Sequence, residues 1–138
     1  MAALLVALAL VFPHGTATIA TPHGRVAVSV EIAQTAAAWE RGLMYRHRLA
    51  ARSGMIFVFP SESTGGFWMK HTLIPLSIAF YGPFGRILRI LDMAPCASDP
   101  CPMYDPGVAY RGALEVNRGK FRRWGVRAGD KITLRRRG

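Results

Sequence analysis

The sequence predicts a single-domain, mainly β protein: an antiparallel sandwich or jelly-roll-like barrel with two short helices. Its 138 residues are enough for one domain with its own hydrophobic core. Of these residues 51% are hydrophobic and 19% are charged, which is typical of globular proteins and not of disordered chains. Fourteen glycines and nine prolines divide the apolar sequence into runs too short for long helices. Short strands joined by turns are therefore expected.

The chain opens with an uninterrupted apolar run, residues 1–12, followed by Pro13. This run is too short to cross a bilayer but matches the apolar region of a secretory signal. No Lys or Arg precedes it, and the best small-residue cleavage pattern, residues 18–20, is imperfect. We interpret residues 1–20 as a signal segment or an N-terminal apolar extension and residues 21–138 as the β domain. The alternative is that the apolar run forms a buried N-terminal strand or helix.

A β-hairpin and a short helix should come next. Residues 16–20 and 25–32 are rich in β-branched side chains and flank a turn at residues 21–24. Thr35 is a candidate N-cap for a helix of alanines that ends at Gly42. The ordered part of the chain is thus expected to begin with two antiparallel strands.

Four further apolar runs predict strands, because each is short and is bounded by turn residues. They lie at residues 54–60, 86–91, 110–116 and 131–134. Asn117 is a candidate N-cap for a second helix that stops at Gly125. Residues 94–106 hold four prolines and both cysteines, which predicts a long loop.

Residues 67–80 form the most distinctive run, because they mix aromatic, ionisable and proline residues within apolar sequence. At a period of two, Phe67 and Met69 face one side while Trp68 and Lys70 face the other. A second apolar strand follows Pro75. The pattern predicts two short strands joined by an irregular corner, and we expect the functional site here.

The net charge of +10 is concentrated in the C-terminal part of the chain. Residues 111–138 contain ten Lys or Arg and two acidic residues. Such a basic end could meet nucleic acid, anionic lipid or an acidic partner. No aromatic stacking platform or nucleic-acid motif accompanies the charge, which favours a solvated surface with a frayed tail at residues 135–137 and argues against nucleic acid.

Several of these runs together resemble the DUF192 family of bacterial and archaeal proteins. The runs are residues 41–46, 54–60, 67–80 and 95–102, with 114–116 and 129–130 downstream. The resemblance implies a single-domain β protein of sandwich or jelly-roll type, often behind an export signal, and the family's function is unassigned. His71 stands where the family usually has Asn, and Ser77 stands where it usually has Asp. If that Asp carboxylate is catalytic in other family members, this chain lacks the catalytic group at this position.

Cys96 and Cys101 lie in the proline-rich loop, with four residues between them. In an oxidising compartment a disulfide would close a small ring and contribute roughly 2 kcal/mol of stability. The two thiolates could instead hold a metal with His71, His47 or Asp99, but one such cysteine pair is a weak metal signature. We predict the disulfide and no metal or other cofactor.

Lys70 and His71 are candidate catalytic residues. A partly buried lysine would have a lowered pKa and could act as nucleophile or general base, with His71 relaying protons. In the alternative interpretation, the lysine stem lies over Trp68 and its ammonium group stays in water.

Glu115 is the third catalytic candidate, because it is a carboxylate within an apolar strand. A lone buried carboxylate is costly, so we expect it to pair with a base. The candidate bases are Lys70, Arg41 and Arg111.

Three functions follow as expectations. The first is an exported, monomeric binding module for a small molecule, glycan or protein partner, at a pocket lined by Trp68, Lys70, His71 and Tyr104. The second is a hydrolase-like enzyme, metal-assisted in one version, that uses Lys70 and His71. The third is an envelope-associated structural protein whose basic end contacts anionic lipid. In each case the expected location is the periplasm or the envelope.

Overall fold

The computed structural model describes residues 10–138, and it confirms a mainly β fold with two short helices. The nine strands of this range are β1 (His14–Thr21), β2 (Gly24–Ala33), β3 (Ser53–Ser63), β4 (Phe67–Trp68), β5 (Leu76–Tyr81), β6 (Ile87–Met93), β7 (Met103–Tyr104), β8 (Tyr110–Asn117) and β9 (Lys131–Arg136). The helices are α1 (Ala36–Arg41) and α2 (Lys120–Arg123), and a 3₁₀ turn covers Pro83–Gly85. Among these residues no helix is long and apolar enough to cross a bilayer.

Seven strands form one curled sheet, a half-barrel, in the order β6-β5-β8-β3-β2-β1-β9. The remaining two, β4 and β7, form a small second sheet. All neighbours in the large sheet pair antiparallel except β2 and β3, which are parallel. A parallel pair needs a crossover connection, and α1 with the loop after it provides one. This crossover lies beside the candidate site.

The two edge strands of the large sheet meet at one end. An isolated bridge pairs Arg86 with Lys131, and the amide of Ile87 donates to the carbonyl of Asp130 at 2.8 Å. In return, the amide of Gly129 donates to the carbonyl of Ile87, also at 2.8 Å. Backbone hydrogen bonds therefore join the start of β6 to the turn before β9.

Hydrophobic side chains fill both sides of the sheet. One core cluster includes Phe57, Met69 and Phe80, and it packs against α1 and the second sheet. The other includes Ile19 and Leu114 and lies on the opposite face. Because both faces are covered, β5 is buried at five of its six positions and has no polar face.

Three predicted boundaries differ from the structure. The second helix begins after Gly119, not at Asn117, whose side-chain amide instead donates to the carbonyl of Leu49 at 2.7 Å. The expected frayed tail is partly wrong, because Arg135 and Arg136 belong to β9. β3 runs on to Ser63, beyond the predicted strand at residues 54–60.

The position of β1 bears on the predicted N-terminal signal segment, residues 1–20. The predicted domain boundary at residue 20 falls inside this strand, which pairs with both β2 and β9. Ala17 and Ile19 within it are fully buried. The earlier part of the predicted signal segment, residues 1–9, lies outside the described residues.

Candidate functional site

Residues 67–80, which we call the central segment, begin with the two-sided arrangement that the sequence predicts. Met69 is buried and Phe67 packs on the core, whereas the side chain of Trp68 is 47% exposed on the other side. β4 presents this tryptophan by pairing Phe67 with Tyr104 and Trp68 with Met103 of β7. Trp68 is thus an exposed aromatic side chain held on a short strand.

The predicted disulfide between Cys96 and Cys101 is present, with their Cα atoms 5.7 Å apart. It lies in residues 94–106, which we call the cysteine loop. This loop runs alongside the central segment, and an isolated bridge joins Cys96 to Lys70. Asp99, within the disulfide ring, accepts a hydrogen bond from Lys70 Nζ at 3.3 Å. The ring therefore places a carboxylate beside the lysine.

The side chain of Lys70 lies over the Trp68 ring, as the alternative interpretation of the sequence expected. Its Nζ lies 5.3 Å from the centroid of the Trp68 ring, in a cation–π contact. With Asp99 on another side, the ammonium group has two protein partners. These two contacts position the Lys70 ammonium group at the site.

Two recesses meet at Trp68. The inner cavity, of about 450 Å³, lies between α1, β3, β4 and the start of β8. The outer groove, of about 530 Å³, lies between α1 and the corner after β4. Both are lined by Glu40, Arg41, Met44 and Trp68. The side chain of Trp68 is therefore a shared wall between the two.

The outer groove carries positive charge and stacked rings. The ring of His71 stacks on Tyr45 at a centroid distance of 5.2 Å, and the guanidinium carbon of Arg41 lies 5.0 Å from the Tyr45 ring centroid. Tyr45 and His71 both have positive φ, 65° and 57°, and the amide of Tyr45 donates to the carbonyl of His71 at 2.8 Å. Such backbone conformations are unfavourable outside glycine, and they cluster at functional sites.

Glu115 lies in the inner cavity, and the prediction that it pairs with a base is wrong. Its side chain lines the cavity, yet the residue is only 5% exposed. Within residues 10–138 it forms no ion pair and no side-chain hydrogen bond. Lys70 pairs with Asp99 instead. Burial without a counter-ion raises the pKa of Glu115 to about 8.

The structure brings together three of the four predicted ligand-binding residues. Trp68, Lys70 and His71 line the outer groove. Tyr104 lines neither recess; its ring packs on the core and its hydroxyl accepts from the amide of Ala94 at 3.2 Å. Of the three catalytic candidates, Lys70 and His71 share the outer groove, while Glu115 lines the inner cavity.

Sequence reasoning missed most of the cavity wall. The missed aromatic side chains are Trp39, Phe57, Phe59 and Tyr110. They lie on α1, β3 and β8, which are distant in sequence, and each fits an ordinary core position in its own run. Arg41, Phe57 and Phe59 lie within runs that carry the family resemblance, and this was the available signal.

The residue that replaces the family's usual Asp, Ser77, has a structural role on the opposite face of the sheet. Ser77 is buried, and its hydroxyl donates to Asp92 Oδ1 at 2.6 Å. The Ser77 Oγ atom also accepts a hydrogen bond from the amide of Gly119 at 3.0 Å. Arg118 and Arg122 lie 3.9 and 3.8 Å from Asp92 Oδ2. The neighbouring strand therefore supplies the carboxylate that position 77 lacks.

No group of three or more His, Cys, Asp or Glu side chains within residues 10–138 is arranged to hold a metal ion. Both cysteine sulfurs are engaged in the disulfide. The alternative of a metal held by Cys96 and Cys101 is thereby contradicted for the oxidised protein.

Comparison with known proteins gives one family and several similar structures. The DUF192 family model, described as "Uncharacterized ACR", matches residues 18–134. A Sinorhizobium meliloti protein described as a proposed transcription regulator has 30% identity and a TM-score of 0.84, with 91% of this chain and 97% of that chain covered. A Novosphingobium aromaticivorans protein of unknown function has 32% identity and a TM-score of 0.77, with 86% and 83% covered. No curated protein matches.

Proposed function

The chain belongs to the DUF192 family, and from the paired recesses at Trp68 we propose that it is a binding module for a small molecule. The ligand would enter between α1 and Trp68, with part of it in the inner cavity and part in the outer groove. A cavity of about 450 Å³ is within the range that small-molecule sites occupy.

The observation that carries this proposal is the state of Glu115. Buried polar groups in proteins are nearly always hydrogen-bonded, and an exception calls for an explanation. Glu115 is only 5% exposed and forms no ion pair among the described residues, and its carboxyl group reaches the open space of the cavity that it lines, since no fully buried side-chain oxygen in residues 10–138 lacks a hydrogen-bond partner. A ligand in the inner cavity would provide the missing partner.

The outer groove supports the same proposal from the other side of Trp68. Lys70, His71 and Arg41 line it, and an aromatic ring beside a cation suits an anionic or sugar-like group. A ligand with an apolar body and one anionic or hydroxylated end would therefore match both recesses.

A fragment screen by ligand-observed NMR tests the proposal. The library should contain ammonium, carboxylate, sugar and uncharged aromatic compounds in equal numbers. We expect binders whose signals are lost with Trp68→Ala and retained with Trp124→Phe, since Trp124 follows α2 and packs against the other face of the sheet. Binders that are indifferent to Trp68→Ala, or a screen without binders, would count against a site here.

The enzyme alternative has less support. Lys70 is held by Asp99 and by the Trp68 ring, and the one buried carboxylic acid, Glu115, lines the other recess. A nucleophile and its acid or base need hydrogen-bond reach of one another.

We also propose that the protein is exported to the periplasm or envelope. The apolar run at residues 1–12 and the disulfide both support this location. Fractionation of the native host, with thiol counting of the recovered protein, tests it. We expect the protein outside the cytoplasm with no free thiol, and cytoplasmic protein with two free thiols would contradict it.

A further inference from the structure

The floor of the inner cavity is a carboxyl group set into the sheet. Glu115 lies on β8, opposite Met55 of β3 and Ile78 of β5, and neither neighbour offers it a polar partner. The other titratable groups lining the cavity are Glu40 and Arg41 of α1 and Tyr110 of β8. None of them forms an ion pair or hydrogen bond with Glu115.

The walls of the cavity are aromatic. They are formed by Trp39, Phe57, Phe59, Phe67, Trp68 and Tyr110. Trp39 Nε1 already donates to the carbonyl of Ala33 at 3.0 Å, and the Tyr110 hydroxyl donates to the carbonyl of Gly65 at 3.2 Å. The polar hydrogens of these two side chains are therefore already engaged.

A carboxyl group in a cavity whose lining is largely aromatic is suited to an organic cation. The ring faces attract positive charge through their quadrupoles, and aromatic cages of this kind recognise quaternary ammonium groups. A primary ammonium or guanidinium group would need several hydrogen-bond acceptors, and the aromatic part of the lining offers none beyond the Tyr110 hydroxyl, while Ser63, Thr64 and Thr72 line the rest. A methylated ammonium group donates no hydrogen bond from nitrogen and needs only a counter-ion and apolar walls.

We propose that the inner cavity binds a quaternary ammonium group, with ionised Glu115 as its counter-ion and the aromatic side chains as its walls. This inference rests on the proposed function and specifies the class of ligand. An anionic group elsewhere on the same ligand would lie in the outer groove, beside Lys70.

The proposal makes binding dependent on pH. In the free protein, burial raises the pKa of Glu115 to about 8, so its carboxyl group is protonated at neutral pH. Binding of a permanent cation must then release that proton. Affinity should rise about tenfold per pH unit as pH increases toward 8, and it should level off above that value.

Calorimetry with choline and with dimethylbutanol, its uncharged carbon isostere, tests this inference. We expect choline to bind the wild-type protein at pH 8 at least ten times more tightly than the isostere. The preference should disappear with Glu115→Gln and persist with Glu62→Gln, an exposed carboxylate outside the cavity. Choline affinity should fall about fivefold from pH 8 to pH 7 in the wild type and stay constant in Glu115→Gln.

Two results would overturn the inference. One is equal or absent binding of choline and its isostere; the other is unchanged choline affinity in Glu115→Gln. If fragments still bind in a manner that depends on Trp68, the binding-module proposal survives while the ammonium assignment fails. If Trp68→Ala changes the binding of no fragment, the proposed site itself fails.

Discussion

At the scale of single residues, Glu115 should govern how stability depends on pH. Burial raises the pKa of Glu115 from 4.5 to about 8, and the unfolded chain has no such burial. Between those values the unfolded state releases the proton while the folded state keeps it. The free energy of unfolding should therefore fall by about 1.4 kcal/mol per pH unit as the pH rises from 4.5 to about 8. Below pH 4.5 this contribution to stability is fully present, and above pH 8 it is fully lost.

Glu115→Gln should remove this part of the pH dependence. Urea unfolding of wild type and variant, measured at several pH values across that window, gives the two slopes. The difference between them isolates Glu115 from the other titrating groups. Glu62→Gln should keep the wild-type slope, and a Glu115→Gln variant that also keeps it would contradict the pKa shift.

The contact between Ser77 and Asp92 predicts the effect of restoring the family's usual residue. Ser77→Asp would place a second carboxylate against Asp92, whose Oδ1 lies 2.6 Å from the present hydroxyl. Like charges directly opposite in a sheet are destabilising, and we expect a loss of about 1 to 3 kcal/mol.

A double-mutant cycle with Asp92→Asn checks the mechanism of that loss. In the Asp92→Asn background, Ser77→Asp should cost much less, because the added carboxylate then meets a neutral amide. If the cost is the same in both backgrounds, its source is steric and not electrostatic.

At the scale of elements, β1 should be indispensable. It joins β2 to β9 along the sheet, and Ala17 and Ile19 are fully buried. A chain beginning at Thr21 would expose one edge of β2 and lose these core side chains. We expect it to lack a cooperative thermal transition by circular dichroism, whereas a chain beginning at Leu10 should unfold cooperatively. Cooperative unfolding of the shorter chain would show that β1 is dispensable.

Local patterns predicted the elements themselves well. The hairpin at Thr21–Gly24, the helix capped by Thr35 and the alternation around Trp68 depend on neighbours in sequence, and each is confirmed. What they could not predict was pairing between distant segments. The parallel match of β2 with β3 depends on tertiary packing that no local run encodes.

The same limit explains the candidate site. Trp68, Lys70 and His71 are adjacent in sequence, so one unusual run predicted their grouping. Glu115 was expected to pair with a base because burial makes an isolated carboxylate unfavourable. The sequence could not show that aromatic side chains from α1, β3 and β8 form the surroundings of Glu115 instead.

At the scale of the whole molecule, closure of the curled sheet depends on Gly85. Its φ is +81°, and a Cβ there would collide with the carbonyl oxygen of Ile132 on β9. Gly85→Ala should therefore push apart the two edges that meet at Arg86 and Lys131. We expect a loss at least about 2 kcal/mol greater than that of a control glycine.

Gly107→Ala is the matched control, because Gly107 has a similar φ of +75° and open space around its Cβ position. Chemical denaturation of both variants separates backbone strain from collision. Equal losses would mean that conformation alone matters and that contact between the sheet edges contributes little.

The cysteine loop separates the assembly of the recesses from the folding of the large sheet. No strand of that sheet includes any residue of the loop, yet Met103 lines the inner cavity and Asp99 holds Lys70. We expect newly made chains with reduced thiols to form the β framework first and to acquire a rigid binding surface only on oxidation. Such a delay would leave the two recesses incomplete until the disulfide forms.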